Sequence, residues 1–161
     1  MNVFHRRQYG FTFIELMMTL ALLGVLALIT VPMAQVAAQR GKERELRIAL
    51  TQIRDAIDAY KKAVDQGRIA QKVGDLGYPK RLEDLVEGVA DQKTPTKQSI
   101  YFLRRLPRDP FAPDTQTEAA DTWGKRAYAS PPDDPMEGDD VFDVYSRSEL
   151  LGLNAVPLKQ W

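Results

Sequence analysis

The chain has no cysteine, one histidine and no net formal charge among its 161 residues. Without cysteine there is neither a disulfide framework nor a thiolate metal site. With 22 basic and 22 acidic side chains there is no electrostatic case for nucleic acid as the main partner. The lone histidine, His5, lies in the first ten residues; any processing that removes them also removes Ser-His-Asp and histidine-metal chemistry. No glycine-rich phosphate loop is present, and scattered carboxylates do not define a glycosidase pair. These absences argue against an enzyme.

What the chain does have is unevenly spread. Residues 11–38 hold 21 of the 71 hydrophobic side chains, so this segment is three-quarters apolar while the rest is ordinary. Met1–Gly10 is short and basic, with Arg6 and Arg7 and no acid, which holds that end in the cytoplasm. Leu16–Ala38 then runs 23 residues without a charge. As a helix that is about 34 Å, against about 30 Å of hydrocarbon. The segment is long enough to span. An ordinary secretory signal, cut after Val36-Ala37-Ala38, is the competing reading, opposed by the length of the run, by Pro32 and by Glu15 near its start. A carboxylate costs about 2.5–3.5 kcal/mol at the centre of a membrane helix and less near an end, so an acid there points to function.

The segment Gly10-Phe11-Thr12-Phe13-Ile14-Glu15, between a basic leader and a long apolar run, resembles the class III signal of the type IV pilin and type II secretion pseudopilin family. The resemblance implies cleavage after Gly10 by a membrane prepilin peptidase, N-methylation of Phe11, and an assembly role for Glu15, the fifth residue of the mature chain. Gly24 and Pro32 fall where the family often has them. Glycine weakens a helix by about 1 kcal/mol relative to alanine, and Pro32 cannot bond to the Leu28 carbonyl, so the stretch between them is a candidate weak spot.

Beyond Ala38 the helical period continues. Leu46, Leu50, Ile53, Ile57, Tyr60 and Val64 are spaced four and three apart, one face of an amphipathic helix, and Gly67 suits its end. The spacing predicts a continuous helix over 11–65, with Arg47, Arg54 and other charges on its remaining surface. A short helix is expected after Pro79, with Leu82, Leu85, Val86 and Val89 as its apolar edge and Gly88 at its end; 91–99 reads as a loop. Strands are expected over 101–106, 123–129 and 141–145, the first cut short by Pro107 and Pro110. The fold class is therefore α+β: a long helix, first membrane-spanning and then amphipathic, on a small antiparallel sheet. Its division is leader 1–10, transmembrane and assembly helix 11–38, stalk helix 39–66 and periplasmic head 67–161.

The head order is similar to that of the major pseudopilins, in Leu106-Pro107-Arg108-Asp109-Pro110-Phe111, Trp123-Gly124 and Asp143-Val144-Tyr145-Ser146. That resemblance implies a self-assembling helical filament in the periplasm, partnered by other pseudopilins, an inner-membrane assembly platform and, indirectly, a cytoplasmic ATPase, and driving type II protein secretion. A type IV pilus subunit and a monomeric membrane-tethered binding protein are the alternatives. No cofactor is expected. Calcium, common in major pseudopilins, is the exception to weigh: Asp133, Asp134, Asp139 and Asp140 are candidate oxygen ligands in an acidic stretch that reads more simply as a solvated loop facing Lys125 and Arg126. Arg104, Arg105 and Arg108 beside Tyr101, Phe102 and Phe111 are too few for a nucleic-acid surface, since without the leader 20 bases face 22 acids. Trp161 is expected to tuck back onto the head.

Overall fold

In the computed structural model, residues 10–96 and 98–161 are described, and they fall into two compact units meeting between Gln39 and Arg40. All of the expected leader but Gly10, with His5, lies outside the described residues, as does Lys97. Helix α1 runs Phe13–Asp65 and is common to both units. It begins two residues later than the periodicity predicts, because Thr12 caps it: the Leu16 N–H donates to the Thr12 carbonyl at 3.1 Å and the Glu15 N–H to Thr12 Oγ1 at 3.3 Å. It ends in a Schellman motif. Gly67 takes φ +68°, the Arg68 N–H reaches the Ala63 carbonyl at 2.9 Å and the Gly67 N–H the Val64 carbonyl at 2.8 Å.

In the first unit the large apolar side chains described from Phe11 to Val36 are all exposed. A stripe facing a protein core would bury one side; here the helix is apolar all round, as a membrane segment is. It is long and apolar enough to cross a bilayer.

The second unit is built on the amphipathic half of α1. Leu46, Leu50, Ile53 and Ile57 are buried, with Ala49 and Ala56 between them, and they pack with Leu82, Leu85, Trp123, Val144 and Leu158 in one cluster. Helix α2, Asp84–Glu87, is one turn long and starts later than Pro79. Strand β1 (Val89–Ala90) pairs antiparallel with β2 (Ser99–Ile100), and β3 (Trp123–Arg126) with β4 (Asp143–Ser146), in the register Trp123↔Ser146 to Arg126↔Asp143. The expected sheet is thus two separate ribbons.

Three expectations need correction. Residues 101–106 are not a strand: the Phe102 and Leu103 N–H groups both turn to the Leu85 carbonyl, at 3.0 and 2.9 Å, so this apolar run plugs the end of α2 instead of joining a ladder. Val89 belongs to β1, not to the preceding helix. Strand β3 stops at Arg126 because the next N–H, of Ala127, is taken by the Met136 carbonyl at 2.9 Å.

An ion pair fastens the first ribbon to the end of α1. Arg68 donates through Nη2 and Nε to Asp91 Oδ2 at 2.7 and 3.1 Å, and the Lys93 N–H donates to Oδ1 at 3.0 Å. These bonds, the arginine's first, hold the Asp91 carboxyl below its usual range. An acid stronger in the folded than in the unfolded chain stabilises fully above its unfolded value, near pH 4, and loses that contribution as the pH falls through its lower folded value. The melting temperature of the detergent-extracted chain is therefore expected to decline below about pH 4, and Asp91→Asn to melt lower than the parent at pH 7 with a shallower acid decline. Parallel acid slopes for parent and variant would count against this assignment.

Candidate functional site in the amino-terminal helix

The residues expected to carry cleavage and assembly, Gly10, Phe11 and Glu15, sit where the helix starts. Gly10, Phe11 and Thr12 are exposed and non-helical, and Phe11 is 82% accessible. The Gly10–Phe11 bond therefore lies in open chain just ahead of a capped helix, the form in which a peptidase can reach a main-chain amide. Glu15 occupies the first turn of α1, three residues after the cap. There its charge complements the positive end of the helix dipole, an effect worth about 0.3–1 kcal/mol at exposed sites. Sequence reasoning passed over Thr12, although Thr12-x-x-Glu15 has the spacing of a capping box.

Helix α1 passes through Gly24 and Pro32 without interruption. A Cβ at Gly24 would meet nothing within 4 Å. Thr19 and Thr30 return their hydroxyls to the Leu16 and Leu26 carbonyls at 2.9 and 2.8 Å, so neither exposes an unpaired hydroxyl to lipid.

In the second unit three charged residues of α1 act as anchors for the end of the chain. Arg54 Nε donates to Asp143 Oδ1 at 2.8 Å, and its Nη2 to the carbonyls of Val144 and Trp161 at 3.1 and 2.8 Å. The guanidinium of Arg47 lies 4.4 Å from the centre of the Trp161 ring, and that ring rests against Gly152, where a Cβ would stand only 2.5 Å from it. Trp161 tucks back as expected. Glu43, largely buried, accepts the Leu153 N–H at 2.8 Å. Helical spacing placed Arg54 outside the apolar stripe, whereas Glu43, three residues before Leu46, continues it; their tertiary partners give both a role.

The side chains of the acidic stretch stay apart. Among the described residues no three acidic or histidine side chains gather around one point, whereas calcium takes about 6–8 oxygens. Asp140 Oδ1 accepts the Tyr128 N–H at 2.9 Å, and Asp133, Asp134 and Asp139 are exposed. Arg126 meets the last acid of the stretch as expected, Asp143 at 3.3 Å, and also donates to the Ser130 carbonyl, whereas Lys125 turns instead to Asp121 at 3.8 Å. Arg108 is also committed within the head, to the Thr117 and Asp114 carbonyls. Asp109, buried, takes the Ser146 hydroxyl at 2.6 Å and the Phe111 N–H at 2.8 Å, tying the Pro107–Pro110 turn to β4.

An apolar helix that opens on a glycine-aromatic step and continues as the core helix of a small α+β unit has the arrangement expected of a prepilin-like subunit. Residues 5–31 match the family model of the prokaryotic N-terminal methylation motif. The chain is similar to the type II secretion system core protein G of Dickeya chrysanthemi, with 29% identity over 140 residues, 84% of each chain. It is also similar to the proteins of that name from Pectobacterium carotovorum subsp. carotovorum (29% over 141 residues, 84% of this chain and 83% of the other) and Klebsiella pneumoniae (28% over 142 residues, 84% and 94%). No solved structure matches it. The chain thus carries the prepilin methylation motif and is similar over most of its length to the type II secretion system core protein G of several bacteria.

Proposed function

We propose that this chain is a pseudopilin subunit that polymerises into a periplasmic pseudopilus and so drives type II protein secretion. The observation that carries the reading is the methylation motif at the head of an exposed apolar helix, in a chain similar over most of its length to core protein G. Before assembly the subunit is held in the inner membrane by α1, its amino terminus cytoplasmic and its head periplasmic. A prepilin peptidase cuts after Gly10 and methylates Phe11. The new ammonium and Glu15 are then charges whose burial is offset only by pairing, one subunit's amine with its neighbour's carboxylate. Such a contact runs head to tail and does not close, so it builds a helical filament. The stretch from Gly24 to Pro32 is where α1 loosens as the filament extends. The subunit's role is structural; the other pseudopilins, the assembly platform and a cytoplasmic ATPase supply the rest of the machine.

Intact-mass measurement of the membrane-extracted protein is expected to give a chain beginning at methylated Phe11. A chain beginning at Gln39 or at Met1 would overturn the reading. A deletion strain is expected to lose exoprotein release while retaining surface fibres; the reverse pattern would favour a pilus subunit.

A further inference from the structure

Near the end of the chain, Leu150, Leu151, Leu153 and Val156 are 60%, 58%, 44% and 37% exposed, four large apolar side chains within seven residues. The loop that carries them satisfies much of its own backbone. Gly152 N–H donates to the Val156 carbonyl at 2.9 Å, Ala155 N–H to that of Gly152 at 2.8 Å and Leu158 N–H to that of Leu150 at 3.0 Å. Asn154 Oδ1 takes the Val156 N–H at 3.2 Å, Leu151 bridges Pro157, and Ala155 closes the turn at φ 61°. The Leu153 N–H goes to Glu43. Unmade backbone hydrogen bonds are what ordinarily keep a loop out of an apolar medium, and most N–H groups of this loop are bonded.

Glu43 fixes where the loop lies. It stands three residues after Arg40, the first charge beyond the apolar run and hence the point at which the chain leaves the hydrocarbon. Arg40, Lys42, Arg44 and Arg47 are exposed on this stretch of α1; Lys42 and Arg47 lie over the Phe111 and Trp161 rings, and none of the four is in an ion pair among the described residues. Four bases against Glu43 and Glu45 leave the stretch positive. Leucines beside long basic side chains match the headgroup boundary of a bilayer, the apolar groups entering it and the cations meeting phosphates. Four partly exposed side chains are a small patch beside the roughly 1,200–2,000 Å² of a stable protein interface, which favours lipid over a second copy as the occupant. We infer that Leu150–Val156 is a second, shallow membrane contact, which seats the head on the lipid surface from which the chain emerges and is released when the subunit enters a filament. This inference rests on the reading of α1 as a membrane span.

The absence of cysteine allows a clean measurement. An environment-sensitive dye is placed on Leu153→Cys in the full chain, reconstituted at low density in vesicles of phosphatidylethanolamine and phosphatidylglycerol containing a lipid-borne quencher. Leu22→Cys reports the span itself, and Val73→Cys reports an exposed loop beyond the far end of α1. Quenching at 153 is expected to exceed that at 73 by about twofold or more and to weaken as phosphatidylglycerol is withdrawn. Leu150→Cys repeats the measurement independently. Quenching at 22 with 153 no better than 73 overturns the inference alone, and none at 22 overturns the span as well. A 153 signal that disappears as lipid dilutes the protein identifies a second copy as the occupant and equally overturns it.

Discussion

Replacing Glu15 by Ala should leave cleavage at Gly10–Phe11 and membrane insertion intact while excluding the variant from filaments formed alongside wild-type subunits. Insertion is safe because the substitution removes a charge from the apolar segment, and a carboxylate there opposes insertion. The helix is safe because the cap belongs to Thr12, and Ala is the best helix former; only the dipole contribution of about 0.3–1 kcal/mol is lost. Assembly is different. In a packed filament the Phe11 ammonium of one subunit would lie buried with no counter-charge, and stripping one partner from a buried pair costs about 3–5 kcal/mol. That corresponds to a loss of incorporation of roughly a hundredfold or more. Glu15→Gln, which keeps shape and hydrogen-bonding capacity, is expected to fail almost as badly, separating charge from packing. The measurement is the ratio of tagged variant to wild type in sheared filaments against the same ratio in membranes. Equal ratios for Glu15→Ala would contradict charge pairing as the basis of assembly.

How much of this was legible in the sequence depends on how local each signal is. Helix α1 was readable from end to end because both of its halves carry helical signals: an uncharged run too long for anything but a span, and a stripe at intervals of four and three. The Gly67 stop needed only the positive φ that glycine tolerates. The motif from Gly10 to Glu15 is six consecutive residues, hence visible without any fold. The ribbons were not readable in this way. Two-residue strands such as Val89–Ala90 and Ser99–Ile100 are too short to show alternation, and residues 101–106, which looked like a strand, have their first N–H groups taken by Leu85. Arg54 and Glu43 were harder still. On a helical wheel Arg54 is a solvated charge and Glu43 an acid at the head of the apolar stripe, and their partners Asp143, Trp161 and Leu153 lie about ninety or more positions away along the chain. Charge type and spacing do not reveal contacts at that separation.

Trp123 joins these distant parts, and its truncation should be the most damaging single change in the head. The side chain is fully buried in the cluster with Leu46, Leu50 and Ile53 of α1 and Val144 of β4. Its Nε1–H donates to the Pro107 carbonyl at 2.9 Å, the turn that Asp109 ties to Ser146. Trp123→Ala therefore combines three losses: the apolar area, the cavity left between helix and ribbon, and a hydrogen bond to a part-buried carbonyl. The expected destabilisation is about 3–5 kcal/mol, against a total of about 5–15 kcal/mol for a domain of ordinary stability. Trp123→Phe retains most of the ring volume and loses the bond, so it should cost less, near the 1–3 kcal/mol of an orphaned buried polar group. Denaturant unfolding of the detergent-solubilised chain, followed by far-ultraviolet circular dichroism, compares both variants with the parent. The ordering is the critical point: a Phe variant as unstable as the Ala variant would put the Pro107 bond above packing, and a cost below about 1 kcal/mol for Ala would mean that α1 and the β3–β4 ribbon are held together by the Arg54–Asp143 pair instead.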